Sequence, residues 1–245
     1  MKALNKVLST APNIAASLLN DSRLLCCFML LMCIPIVVVG HNISENNARF
    51  VEGINGPAIV PFMYLGAKHM VTGYDHLLFL FGVLFFLHRF KDVLLFVTIF
   101  TLGHSITLML GVLLEINVNA FLIDAVIGLS VVYKAFENID GFKQVFGKQM
   151  DARAAVFVFG LCHGLGLATK LQEFSLSNNG LVTNILSFNI GVEIGQAIAL
   201  AFILVILSQW RRLTQFQSQA FVSNSILMTL GFMLAGYQMA GYLSS

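Results

Sequence analysis

Two histidines and an aspartate interrupt a long apolar segment in the stretch Lys68–His76, which reads Lys-His-Met-Val-Thr-Gly-Tyr-Asp-His. The residues on either side, 57–66 and 77–87, carry no charged or amide side chain. A segment of this length and composition is predicted to cross a bilayer, which places the ionisable groups near the middle of the membrane. Groups of this kind are costly at that depth, so their presence indicates a functional site.

The composition is that of a polytopic membrane protein. Of the 245 residues, 58% are hydrophobic and only 11% are charged, and the mean hydropathy is +0.84. A soluble domain averages about 25% charged residues, so soluble, disordered and secreted proteins are excluded. The net charge of +2 gives no reason to expect nucleic-acid binding. The four cysteines lie in apolar segments, which predicts no disulfide framework.

The apolar segments predict an all-α polytopic transmembrane helix bundle of about seven helices. The first, Leu24–Val39, resembles a signal anchor, which we favour over a cleaved signal peptide. The other predicted crossings are 57–88, 93–114, 120–136, 154–169, 181–207 and 221–243. We therefore expect a signal-anchor or cleaved signal helix in residues 1–40, a periplasmic loop in 41–56 and a six-helix membrane domain in 57–245.

The distribution of basic residues predicts the orientation of the bundle. If Pro57–His88 crosses once and the N-terminus is cytoplasmic, 11 of the 14 Lys and Arg residues lie on the cytoplasmic side. The positive-inside rule requires such a bias, and a hairpin within Pro57–His88 would remove it. We therefore predict a single crossing there, bent at Thr72-Gly73, and an external C-terminus. Lys134 is counted here as part of a polar loop that follows the fourth helix.

Polar residues recur at mid-depth on four of the predicted helices. His69 and His76 are seven residues apart and so share a helix face. Stripes of this kind are expected to converge inside the bundle, because a charged group facing lipid costs roughly 2.5–3.5 kcal/mol. The candidate metal ligands are His69, Asp75, His76, His104, His163 and Glu193. The candidate pathway or supporting residues are Ser105, Thr107, Asn189 and Gln196.

Four histidines and two carboxylates at one depth favour a divalent transition metal. Imidazole suits nickel, cobalt, zinc and copper, and Asp75 can be a ligand or the hydrogen-bond acceptor of His76. A proton relay would use the same residue types. The hydroxyl and amide residues also suit plain hydrogen bonding between helices. The chain has no P-loop, hydrolase or Cys-x-x-Cys motif, so we expect neither an enzyme nor a tightly bound cofactor.

A weak internal repeat accompanies the histidines. The stretches 100–105 and 159–164 match at a phenylalanine, a leucine and a histidine, 59 residues apart. In the predicted topology both run outward, as parallel repeats do in some transporters.

Four segments resemble the HupE/UreJ family of bacterial membrane proteins, and its second branch in particular. They are His69-x5-Asp75-His76 and the stretches 100–108, 159–166 and 188–196. The resemblance implies a protein of the bacterial cytoplasmic membrane, with members proposed as nickel or cobalt permeases for hydrogenase and urease maturation. The chain departs from the better-studied branch at two positions, where Phe159 replaces a histidine and Gly166 replaces a glutamate.

These observations together predict a secondary permease for nickel or cobalt, with zinc a further candidate, in the bacterial inner membrane. The expected partners are the lipid bilayer, the metal ion, and metallochaperone or metalloenzyme-maturation proteins. The alternative is a non-transporting membrane subunit or assembly factor whose polar cluster is structural or relays protons. An intramembrane metalloenzyme, which would need an open coordination position, is the third hypothesis.

Overall fold

The computed structural model describes residues 53–172 and 177–245, and within these ranges the chain forms eight helices and no strand. The helices are α1 (Ile59–Thr72), α2 (Tyr74–Leu84), α3 (Phe90–Leu113), α4 (Ala120–Asn138), α5 (Gly141–Phe146), α6 (Ala152–Gln172), α7 (Leu181–Trp210) and α8 (Phe216–Ser244). The all-helical prediction is therefore confirmed. The predicted first helix at 24–39 and most of the predicted 41–56 loop lie outside the described residues.

Four of the described helices, α3, α6, α7 and α8, are long and apolar enough to cross a bilayer. Their outer faces are apolar as well. On α7, for example, Ile190, Ile194 and Ile198 are each at least 44% exposed and follow one another at four-residue spacing. An exposed isoleucine stripe along one helix face is what lipid contact requires, so the chain is a multi-pass membrane protein.

The segment predicted to bend at Thr72-Gly73 is broken there into two helices. Gly73 has an extended conformation, with φ −74° and ψ 106°, between α1 and α2. Its amide donates to the carbonyl of His69 at 2.8 Å, and its carbonyl accepts from Leu77 at 3.0 Å. A side chain at this position would bring its Cβ within 2.9 Å of His76 Nδ1. Any side chain here would therefore force the His76 ring to shift.

The two halves of the broken helix follow one another along α7 and run in the same direction. At one end the amide of Ala58 donates to Asn184 Oδ1 at 2.7 Å. At the other end the Arg211 guanidinium donates to the carbonyls of Leu84 and Phe85. The start of α1 thus contacts the N-terminal end of α7, and the end of α2 contacts its C-terminal end. Helices α1 and α2 together therefore pass through the bundle once. This geometry agrees with the predicted single crossing.

The two helices that carry the predicted repeat, α3 and α6, also lie side by side and run in the same direction. Gly160 packs against the backbone of Phe100, and Gly164 packs against that of His104. These glycines let the two backbones touch, as in small-residue packing between membrane helices. The contact brings the two matched histidines, His104 and His163, into neighbouring positions.

One end of the bundle collects the exposed basic residues, and we call it the basic end. It contains the C-terminal ends of α2, α4 and α7 and the N-terminal ends of α3, α6 and α8. Its basic residues are Arg89, Lys91, Lys143, Lys148, Arg153 and Arg212, which are exposed, and Arg211, which is half-buried.

Lys134 does not belong to this exposed set, so its assignment to a polar loop was wrong. Helix α4 continues to Asn138, beyond its predicted end at residue 136, and Lys134 lies within it with 8% of its surface exposed. The lysine is tolerated inside the bundle because it donates to the Glu137 carboxylate at 2.7 Å. The predicted loop that follows also contains the short helix α5.

Candidate metal centre

The break between α1 and α2 assembles a group of polar side chains in the interior, which we call the histidine cluster. His69 lies in the last turn of α1, and Asp75 and His76 lie in the first turn of α2. His104 comes from the middle of α3 and His163 from the middle of α6. Of these five residues only His69 is partly exposed, and each of the other four has at most 5% of its surface exposed.

His76 lies at the centre of the cluster. Its ring centroid is 4.7 Å from that of His163, 4.9 Å from that of His69 and 6.1 Å from that of His104. All three contacts are edge-to-face, so the rings do not stack on one another.

The cluster contains two overlapping groups of potential metal ligands. His69, His76 and His104 form one group, and Asp75, His76 and His163 form the other, with the ligand atoms of each group within 4.8 Å of one another. Nitrogen ligands around a tetrahedral ion at about 2.1 Å lie about 3.4 Å apart. Small rotations of the imidazoles would therefore bring either group to a coordinating geometry. His76 belongs to both groups.

Asp75 fixes the orientation and the tautomer of His76. The Asp75 Oδ1 atom accepts from the backbone amide of His76 at 2.7 Å and from its Nδ1 at 2.8 Å. A carboxylate only accepts, so Nδ1 carries the proton and Nε2 keeps the lone pair. Carboxylate–histidine pairs of this kind orient metal-binding imidazoles and raise their basicity.

Ser130 on α4 has a similar relation to His163. Its hydroxyl donates to the carbonyl of Ile127 at 2.6 Å and lies 3.4 Å from His163 Nε2. Since the hydroxyl proton is used by Ile127, the serine oxygen can accept a hydrogen bond from the His163 ring at Nε2.

His104 is the member of the cluster that lacks hydrogen bonds. It is fully buried, and neither of its ring nitrogens has a hydrogen-bond partner among the described residues. Burying such a group without a partner costs free energy, and a bound cation would satisfy the free lone pair. This observation fits a metal ligand better than a structural histidine.

Two phenylalanines pack against the His163 ring at the edge of the cluster. Phe79 and Phe100 are both buried, and their rings lie 5.6 Å and 5.1 Å from that of His163. They are also in contact with each other, at 5.4 Å. Aromatic walls exclude water, so electrostatic interactions within the cluster are stronger than they would be at a surface.

The structure does not bring Glu193 into the cluster. Its side chain is exposed and lines an open groove between α3 and α7, with a volume of about 630 Å³, that we call the lateral groove. Ser105 lines the same groove. Most other residues of this lining are apolar, including Phe90, Leu94, Val97 and Leu204. Glu193 and Ser105 are therefore separate from the two groups of ligands centred on His76.

The remaining candidate residues connect helices or lie buried beside them. Thr107 donates to the carbonyl of Leu161 at 2.7 Å and so joins α3 to α6. Gln196 accepts from Thr101 at 2.5 Å and joins α7 to α3. The amide group of Asn189 is buried and has no hydrogen-bond partner among the described residues.

Three polar residues of α4 near the cluster were not among the predicted site residues. Ser130 lies beside His163, and Lys134 and Glu137 form an ion pair between the cluster and the basic end. Their spacing of i, i+4 and i+7 marks one helix face, so the periodicity argument applied to His69 and His76 would have found them. They were left out because serine commonly forms hydrogen bonds between helices, and charged residues near a helix end are usually expected to be solvated.

Comparison with known proteins identifies the chain at the level of a family. A family model described as HupE / UreJ protein matches residues 45–245. No curated protein and no solved structure matches the chain. The matched region includes every member of the histidine cluster and all the described helices.

Proposed function

Since the chain belongs to the HupE/UreJ family, we propose that it is a secondary permease for a divalent transition metal, with nickel or cobalt as its principal substrate. The main supporting observation is the pair of overlapping ligand groups that share His76 inside a helical membrane protein. Four imidazoles and one carboxylate form a donor set suited to nickel, cobalt and zinc. Because the ligands are buried inside the bundle, they suit a transport site better than a storage site at the protein surface.

The shared ligand suggests how an ion moves through the centre. An ion held by His69, His76 and His104 can exchange ligands around His76 and pass to Asp75 and His163. It then never loses all its ligands while it is surrounded by apolar side chains, where an unpaired charge is most costly. Protons compete with the metal for the imidazoles, so binding should weaken as the pH falls.

The proposal includes a topology for the whole chain. The basic end would face the cytoplasm, as the positive-inside rule requires, in the cytoplasmic membrane of a bacterium. The described part would then supply six crossings, counting α1 and α2 as one, and residues 1–40 would supply a seventh whose N-terminus is cytoplasmic. Released metal would pass to metallochaperone or metalloenzyme-maturation proteins. In this proposal the protein transports its ion and catalyses no reaction.

The proposal is tested by measuring uptake of radioactive nickel, cobalt and zinc in cells with and without the protein. Uptake of at least one metal should rise with expression and return to background in His76→Ala, because His76 belongs to both ligand groups. His88→Ala is a matched control, since His88 is exposed at the end of the second crossing. Uptake that neither expression nor His76→Ala changes, for any of the three metals, would refute the proposal.

A further inference from the structure

A second charged site lies inside the bundle, between the histidine cluster and the basic end. Lys134 Nζ and Glu137 Oε2 on α4 are 2.7 Å apart, and their side chains are only 10% and 7% exposed. The aliphatic part of the lysine packs against Gly82 of α2. Removing two charges from water is rarely repaid by their mutual attraction, so stability alone is a weak reason for such a pair. Ionisable groups within membrane helices usually mark a pathway for ions.

The pair belongs to a continuous polar face of α4 that starts at the cluster. Ser130, Lys134, Glu137 and Asn138 follow the spacing i, i+4, i+7 and i+8, which keeps them on one side of the helix. The first of them lies 3.4 Å from His163 Nε2. The carboxylate is seven residues farther on, which is about 10 Å along the helix axis toward the basic end.

Helix α8 contributes polar groups beside the end of this face. The Asn138 side-chain amide donates to the carbonyl of Gly82 and to Asn224 Oδ1, each at 2.8 Å. Asn224 and its neighbour Ser223 are both 1% exposed. The Ser223 hydroxyl has no hydrogen-bond partner among the described residues. Amide and carbonyl oxygens of α8 and α2 thus lie in the interior beside Asn138, the residue that follows Glu137.

From this arrangement we infer that the Glu137 carboxylate is a second cation-binding site, which receives the metal from the histidine cluster on its way to the basic end. The Lys134 ammonium occupies the site at rest and leaves it when the ion arrives. The inference rests on the proposed transport function. Oxygen ligands bind nickel and cobalt less tightly than imidazole does, so a carboxylate site beyond the cluster suits release.

The test uses the double variant Lys134→Met/Glu137→Gln in the full-length protein, reconstituted in liposomes. Each single variant leaves one buried charge without its partner and can fail to fold, whereas the double variant removes both charges together. Lys143→Met/Glu115→Gln is the matched control, because it makes the same changes at two exposed residues. Three quantities are measured: nickel binding to the purified protein, radioactive nickel flux into the liposomes, and thermal stability.

We expect the double variant to fold and to bind nickel with unchanged affinity, while its flux falls at least tenfold relative to the wild type and the control. A purely structural ion pair predicts the opposite, with flux within about twofold of wild type once both charges are gone. Wild-type flux in a folded double variant therefore overturns this inference and leaves the proposed function intact. A wild-type protein that neither binds nor transports nickel overturns both.

Discussion

The carboxylates of Asp75 and Glu193 lie in opposite surroundings, although both occur within long apolar helical segments. Asp75 is 5% exposed and accepts two hydrogen bonds from His76. Glu193 is exposed in the lateral groove, on the α7 surface that also presents Ile190 and Ile194 outward. The position of a carboxylate within an apolar segment therefore does not determine its surroundings. Its neighbours depend on whether its face of the helix points into the bundle or outward.

The backbone explains the difference. Around Asp75 the chain is broken at Gly73, so the carboxylate lies in the first turn of α2, where the helix dipole favours negative charge. Around Glu193 the helix is continuous from Leu181 to Trp210, and no backbone end lies near the carboxylate. The helix break thus places the Asp75 carboxylate where the helix dipole compensates its charge, beside the histidine cluster. Discontinuous helices have the same use in other transporters.

The largest effect is expected from closing the break with a side chain. In Gly73→Val the new Cβ would lie 2.9 Å from His76 Nδ1 and 3.0 Å from the carbonyl of His69, so both histidines must move. We expect nickel affinity to fall about 100-fold or more, since ligands of both groups are displaced at once. Titration of the purified protein with nickel measures the change.

Gly236→Val is the matched control for this variant. Gly236 lies within α8, and a Cβ at that position would have no neighbour within 4 Å. Its nickel affinity should equal that of the wild type. If Gly73→Val also bound nickel like the wild type, the break would not be what positions the ligands.

A smaller effect is expected when the charge of Asp75 is removed and its shape is kept. Asp75→Asn retains an oxygen that can accept from His76, but the uncharged amide supports the imidazole less strongly. Loss of such a supporting carboxylate typically costs 10–100-fold in metal affinity, and we expect a decrease of about that size. Asp140→Asn, at an exposed position, should leave the affinity unchanged. Equal affinities in the two variants would contradict a role for the Asp75 charge.

Much of the fold could be predicted because hydrophobic length and charge bias depend on local composition. The crossings at Phe90–Leu113 and Leu181–Trp210 follow from runs of apolar residues, and the bend at Gly73 follows from a glycine among polar neighbours. All five members of the histidine cluster could be predicted as well, since ionisable groups in such runs are expensive to bury without a purpose.

The direction of individual helix faces could not be predicted, and the errors arose there. Glu193 and Gln196 belong to one stripe by spacing, yet Gln196 is buried and accepts from Thr101 while Glu193 is exposed. Residues of one stripe are spread over a wide part of the helix surface. Which of them are buried depends on how the neighbouring helices pack, and spacing alone does not show this. Lys134 was assigned to a loop because basic residues usually mark loops, and that argument ignores the compensating Glu137 three residues later.

The smallest effect on nickel affinity is expected at Glu193. This variant tests most directly whether Asp75 and Glu193 differ in their roles. Glu193→Gln removes a charge from the lateral groove without touching either ligand group around His76. Nickel affinity should stay within about twofold of wild type, as for most substitutions outside a binding site. The comparison with Asp75→Asn is matched, since each variant converts a carboxylate into its amide at similar volume. If Glu193→Gln lost affinity as strongly as Asp75→Asn, the carboxylate would have to reach the histidine cluster in the metal-bound protein, and the lateral groove would have to close around it.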